Sequence, residues 1–328
     1  VLVDAAGGSD CPQEVDDVLR RNRANPTPRL LTLVDGPSEP AGPLVLVHSF
    51  SGFMDAGSAS QIAVNHLVKG LPERVLARFD SDELIDYRAR RPKMVYDSDR
   101  FVSAEMPEIT LREVLDERGT PFLLLSGPEP DYRWREFIEA VEWIVREYGV
   151  GLTAGMIGIP WPAPHTRPVG VTLHATRPDL LHGHRSSSIG MIEIPGHVPA
   201  MLEFRLGEAG LDALGLAVHV PHYLTQFDYP RAAIALLRGL AGLTGLVLPT
   251  DGLEDQAGAA DAEISRQTRD SDEFAPLLRT MEEQYDRNAR DEFVGEVAGG
   301  ALPDADEIGA QIERFLAQMD DRGGDTAR

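Results

Sequence analysis

The spacing of apolar positions changes several times along this chain, and each change marks an element. "RLLTLV" and "PLVLVHSF" are short β-forming runs separated by "DGPSEPAG", a stretch of turn formers, and they predict two neighbouring strands. Helical spacing follows over residues 56–70, and "RVLARF" predicts the next strand. Beyond a less regular stretch, "TPFLLLSG" predicts a further strand. In "PEPDYRWREFIEAVEWIVREYG" the residues Trp134, Phe137, Ile138, Val141, Val145 and Tyr148 recur at i, i+3, i+4 and i+7. That period predicts a helix capped by Asp131 and ended by Gly149. Downstream, "VGLTAGMIGI", "VGVTLHAT", "MIEI" and "GLAVHV" predict strands, while "VPAMLEFRLGEAG" and "YPRAAIALLRGLAGLTG" predict helices.

Strands alternating with helices predict an α/β fold over residues 29–250, with helices on both faces of a largely parallel or mixed sheet. The flanks differ in character. Residues 1–28 are polar and bear prolines, which predicts a mobile or loosely ordered N-terminal arm. Residues 251–328 read as an acidic helical extension with two amphipathic stripes, Phe274, Leu277, Leu278, Met281, Tyr285 and Ile308, Ile312, Phe315, Leu316, Met319. Both stripes need apolar cover. Another copy of the chain would supply it, and packing back onto the same chain is the competing solution.

Charge narrows the function classes. The net charge of -22 opposes approach to nucleic acid or an anionic membrane, because such binding depends on basic surface. From Asp251 onward 21 acidic residues face 8 arginines, so the acidity is concentrated in the last quarter, as a solvated helix face or a partner-facing arm. The single cysteine, Cys11, excludes an internal disulfide and any multi-thiol metal site, which fits a reducing compartment. No apolar run is long enough to span a bilayer, and "VLVDAAGGSD" lacks the basic start and apolar body of a signal peptide, so the expected location is cytoplasmic.

The candidate chemistry sits where the strands end. "SFSGFMDAG" breaks a strand into Gly, Ser and Asp before a helix, but neither Ser49 nor Ser51 has a glycine two places before it, as a serine nucleophile elbow requires. A phosphate loop would continue into Gly-Lys-Ser/Thr, whereas here Asp55 sets a negative charge in that place. In open α/β sheets ligands bind outside the carboxyl ends of the strands. Three loops should reach that edge, and they predict a ligand or partner crevice formed by Ser51, Gly52, Asp55, Glu129, Asp131, Trp161, His165 and Arg167. Asp55 and Asp131 also stand where helix caps are expected, and proline-rich "GIPWPAPHTRP" could equally be a rigid connector. Arg88, Arg90 and Arg91 in "DYRARRP" are candidate anion contacts, with salt bridges to the acidic surface as their alternative. His182 with His184 and His219 with His222 lack the helical spacing and glutamate of a zinc hydrolase, so no metal and no cofactor are expected.

Taken in order, "SGFMDAGSA", "LSGPEPDYRWREF", "GIPWPAPHTRP", "MLEFRLGEAG" and "HVPHYLTQFDYPRAA" resemble the proteasome assembly chaperone type-two family, in its actinobacterial branch of uncharacterised proteins, over residues 29–290. The resemblance implies a three-layer α/β/α fold of the phosphorylase/hydrolase-like group, which includes purine nucleoside phosphorylases. It also implies self-association, and no catalytic role for "SGFMDAG". Archaeal members are associated with a hydrophobic-Tyr-x tail that docks on the proteasome; "GGDTAR" is not such a tail, so any docking is expected through another surface. The expectation is therefore a non-enzymatic protein-binding or assembly-chaperone-like factor, linked through its family to the proteasome, working as a homo-oligomer such as a trimer. The alternative is a nucleoside-phosphorylase-like or hydrolase-like enzyme at the strand-end crevice.

Overall fold

A computed structural model describes residues 26–38, 42–181, 191–269 and 274–294. The N-terminal arm up to residue 25, Cys11, the His182 and His184 pair and the stripe from Ile308 to Met319 lie outside the described residues. The strands in chain order are β1 (Leu31–Leu33), β2 (Leu44–Ser51), β3 (Glu73–Phe79), β4 (Lys93–Asp97), β5 (Arg100–Glu105), β6 (Thr110–Leu115), β7 (Pro121–Pro128), β8 (Val150–Trp161), β9 (Val171–Ala175) and β10 (Ala213–Pro221). The helices are α1 (Ala59–Gly70), α2 (Ser81–Leu84), α3 (Trp134–Glu147), α4 (Val198–Glu208), α5 (Pro230–Thr244), α6 (Leu253–Arg269) and α7 (Phe274–Val294).

Eight strands form one mixed sheet in the order β1-β3-β6-β7-β2-β8-β10-β9. Its centre, β7-β2-β8-β10, is parallel, and β6 and β9 flank it antiparallel. Central parallel strands are buried on both faces, which explains why Leu46, Val47, Leu123, Leu124 and Leu125 form unbroken apolar runs. Val47, Leu124, Met156 and Leu216 pack under α1 and α5, whereas Leu46, Leu123 and Leu125 pack under α3 and α4. The result is a three-layer α/β/α fold. Phe137 of α3 is fully buried, 4.7 Å from the ring of Phe79 and 5.6 Å from that of Phe50, so its truncation to alanine should cost about 3–5 kcal/mol.

The structure departs from the sequence reading in three places. "MIEI" is not a strand: Met191, Ile192 and Ile194 are exposed, so its apolar run has no sheet to join. The less regular stretch holds an exposed β4–β5 ribbon and the interior strand β6. Helix α3 begins at Trp134, after Arg133 in the left-handed region at φ 57°, and Asp131 does not cap it. Of the two solutions open to the first C-terminal stripe, Phe274 takes packing onto its own chain, its buried ring lying 4.9 Å from Tyr223, while Leu277, Leu278, Met281 and Tyr285 are half-buried. Upstream of it, Leu253 and Ala257 of α6 belong to the core beneath α5.

Candidate functional site

The loops after β2, β7 and β8 leave one edge of the sheet, because these strands are adjacent and parallel. The first loop is a tight structural corner. Gly57 at φ 67° and Ser58 at φ 50° turn the chain into α1, and the corner is stitched to the segment before α5 by Gly57 N–H donating to Thr225 O at 2.9 Å and Tyr229 N–H donating to Gly57 O at 2.9 Å. Asp55 accepts from the backbone N–H of Ser60 at 2.8 Å and of Gln61 at 3.2 Å, supplying acceptors to the otherwise unbonded first turn of α1. Burial pushes its carboxyl above the usual carboxylate range, against the lowering effect of those hydrogen bonds. Gly158 of β8 makes this possible, since a side chain there would meet the Ala56 carbonyl at 2.4 Å.

Glu129 is the acid that joins elements. Its backbone N–H donates to Ser51 O at 2.9 Å, while its carboxylate accepts from Val198 N–H at 2.7 Å and Phe53 N–H at 3.4 Å. A buried carboxylate is thus held at the amino end of α4, where the helix dipole favours negative charge. Gly52 leaves it room: a Cβ there would meet Glu129 Oε2 at 2.7 Å. Asp131 accepts from Asp86 N–H at 2.8 Å and pairs with Arg90 at 3.1 Å; Arg90 also donates to Glu129 O. Arg88 and Arg91 remain exposed on the connection toward β4.

The third loop divides. Trp161 stacks on His219 of β10 at 4.0 Å between ring centroids, and the His219 ring meets Thr172 Oγ1 at 2.8 Å. His165 turns to Tyr223, whose hydroxyl accepts from its backbone N–H and meets its Nδ1, both at 2.8 Å. Desolvation lowers the His165 pKa, partly opposed by Asp261 and Glu282. Arg167 donates to both carboxylate oxygens of Asp286 on α7, at 2.7 and 2.8 Å. The structure therefore brings Ser51, Gly52, Glu129, Asp131 and Arg90 together, and sets Asp55, Trp161 and the His165 and Arg167 pair in separate surroundings.

Sequence reasoning missed a row of histidines on the α4 face. His48, Gly155, Gly215 and His174 stand opposite one another on β2, β8, β10 and β9. Side chains at the two glycines would meet the rings, at 2.7 Å for His48 Cε1 and 2.0 Å for His174 Cε1. His174 pairs with Glu203 of α4, and His197 begins α4, its Nδ1 accepting from Ala200 N–H at 3.3 Å. Burial, with His197 and His174 nearby, holds the His48 pKa down to about 3. No local motif announces this row, because it exists only once four strands are in register. Among the described residues no group of three or more His, Cys, Asp or Glu is arranged to hold a metal ion.

Comparison with known proteins places this geometry. No functionally curated protein matches the chain. A Mycobacterium tuberculosis protein of unknown function is 40% identical, with 80% of this chain and 93% of that one covered and a TM-score of 0.77. A Corynebacterium glutamicum protein of unknown function is 37% identical, covering 79% and 97%, with a TM-score of 0.75. A third structure, a Mycobacterium tuberculosis proteasome-assembly chaperone homologue, is 25% identical over 72% of this chain and 100% of that one, with a TM-score of 0.65. The PAC2 family model matches residues 49–268, from the strand-end corner through the last turn of α6, and the chain belongs to the PAC2 family.

Proposed function

We propose that the chain is a non-enzymatic, assembly-chaperone-like protein-binding factor that works as a homo-oligomer and engages a further protein partner, with proteasome subunits the first to test. The observation that carries this reading is the β4–β5 ribbon. Every residue of both strands is exposed, and Met94, Val95, Tyr96, Phe101 and Val102 stand on it, Phe101 at 64% exposure. A two-stranded ribbon alone is marginal in water, and a clustered exposed apolar surface marks an interaction site. Exposed Arg88, Arg91 and Lys93 put positive charge at its foot, so a second copy of this strongly acidic chain is the complementary partner.

Two further observations favour the reading. The ionisable groups of the strand-end crevice are all engaged: Asp55 and Glu129 accept from helix-end amides, Asp131 and Arg90 pair with each other, and Arg167 is held by Asp286 of α7. The M. tuberculosis relative described as a proteasome-assembly chaperone homologue shares the fold along its full length. The test is light scattering and capture of purified 20S proteasome, comparing the full chain with a Tyr96→Lys, Phe101→Lys variant. The expected result is a micromolar oligomer that retains proteasome, and a variant that does neither. A wild-type monomer with no retention overturns the proposal.

A further inference from the structure

A cavity of about 230 Å³ opens at the same sheet edge on the α1 face, between α1 and strands β2, β6 and β7. Its lining is mixed, with Val64, Val68 and Pro128 beside a set of polar side chains. Ser51, Gln61, Asn65, Thr110 and Ser126 line it together with Arg112. Arg112 stands on β6, opposite Leu124 of β7, and its side chain is only 21% exposed. A cation this far inside a sheet needs acceptors for the five donors of its guanidinium.

The protein supplies few. Nη1 donates to Thr110 Oγ1 and, at 3.4 Å, to Ser126 Oγ. Nε is buried without a hydrogen bond, with a carboxylate oxygen of Glu73 at 3.4 Å. A hydroxyl oxygen that accepts from Arg112 turns its own hydrogen elsewhere, so Thr110 and Ser126 are left as oriented donors beside the cation. Gly127, at φ 153°, fixes this arrangement: a side chain there would meet Glu108 O at 2.4 Å, and its absence lets the start of β6 close on β7 and set Thr110 beside Ser126. Glu108 lines the cavity but lies 3.6 Å from Arg78, which offsets its charge.

We propose that this cavity binds the oxyanion end of a small metabolite, a phosphate monoester or a carboxylate, with Arg112 as its counter-ion and Thr110, Ser126 and Ser51 as hydroxyl donors. A guanidinium flanked by hydroxyls matches the several lone pairs of an oxyanion, and charge-assisted hydrogen bonds are the stronger kind. The volume exceeds what a bare anion needs, leaving room for a short organic body beside Gln61 and Asn65. Glu73 competes for Arg112, which sets the site's sign preference against its affinity.

Inorganic phosphate and acetate, titrated at constant ionic strength onto the full chain, test this by the rise in melting temperature that binding to the native state produces. At least one probe should give a saturable rise. Arg112→Gln should weaken it at least tenfold, and Ser126→Ala, a change that leaves the sheet's ion pair in place, severalfold. Glu73→Gln should tighten it, a response that a purely structural role for Arg112 does not produce. A response to phosphate alone identifies the phosphate-ester class, and one to acetate alone the carboxylate class. No saturable response to either probe, or an unchanged response in both Arg112→Gln and Ser126→Ala, overturns the proposal.

Discussion

His48 on β2 and Gly155 on β8 face each other in register, and the imidazole occupies the space that any side chain at position 155 would need. Gly155→Ala forces a methyl to 2.7 Å from His48 Cε1 and 3.0 Å from Nε2, in a core where the ring is 2% exposed. Overpacking of this kind costs about 1–3 kcal/mol. Urea unfolding should show that loss, and His48→Ala in the same chain should recover part of it by vacating the space.

The pH dependence follows from the same ring. The His48 pKa is near 3 in the folded protein, chiefly through desolvation, and near the ordinary 6.5 when unfolded. Below pH 6.5 the unfolded chain takes up a proton that the native state refuses, so this contribution is whole above pH 6.5 and is lost progressively as pH falls toward 3. At pH 4.5 the loss from His48 should be about 2–3 kcal/mol. Desolvation depresses His219, to about 4, and adds to the same trend. Equilibrium unfolding at pH 7.5, 5.5 and 4.5 measures the slope, and His48→Leu should flatten it.

Asp55 is predicted to matter for stability through α1. Replacing it with alanine removes the acceptors for Ser60 and Gln61 N–H and should cost about 1 kcal/mol, whereas Asp55→Asn keeps one acceptor and should cost less. Thermal melts of the two variants check the order.

Nucleoside phosphorolysis should be absent. Asp55 stands at the corner where a phosphate loop would lie, and Arg167 is held by both oxygens of Asp286. Inosine or adenosine with phosphate should release no free base above background. Phosphate-dependent release that Arg88→Ala or Arg167→Ala abolishes would restore the enzyme reading.

Cutting the chain after Pro249 should destabilise it, because Leu253 and Ala257 lie in the core beneath α5. Uncovering that surface should lower the melting temperature by roughly 5–15 °C, while a cut after Arg269 should lower it less. Differential scanning calorimetry distinguishes them.

Elements whose burial is periodic were legible in the sequence. The α3 stripe is one example: Phe137, Ile138, Val141 and Val145 are all buried. The β4–β5 ribbon was not, because both of its faces are exposed and no alternation marks an inner side. Strand β6 hid for a different reason, since Arg112 and Glu113 place charges on an interior strand, where Glu73 and Arg74, distant in sequence, pair with them. Asp131 illustrates the limit of local rules. Its carboxylate goes to Asp86 N–H and Arg90, more than forty residues away in sequence, rather than to the helix beginning three residues on. Of the candidate crevice, the common sheet edge was readable from strand alternation, but the division of its side chains among separate partners was not.

The imidazole row also sets an order of opening. Helix α4 rests on the sheet through Val198, Leu202 and Leu206, but its first turn is fastened by Glu129 and His197, and its middle by the Glu203 pair with His174. Those fastenings run through single side chains, whereas the ladder of β2, β8 and β10 beneath them runs through paired backbones. Mild denaturant should therefore loosen one helix before it unzips a strand, so that the amides of α4 exchange with solvent at a urea concentration where those of the central sheet are still protected.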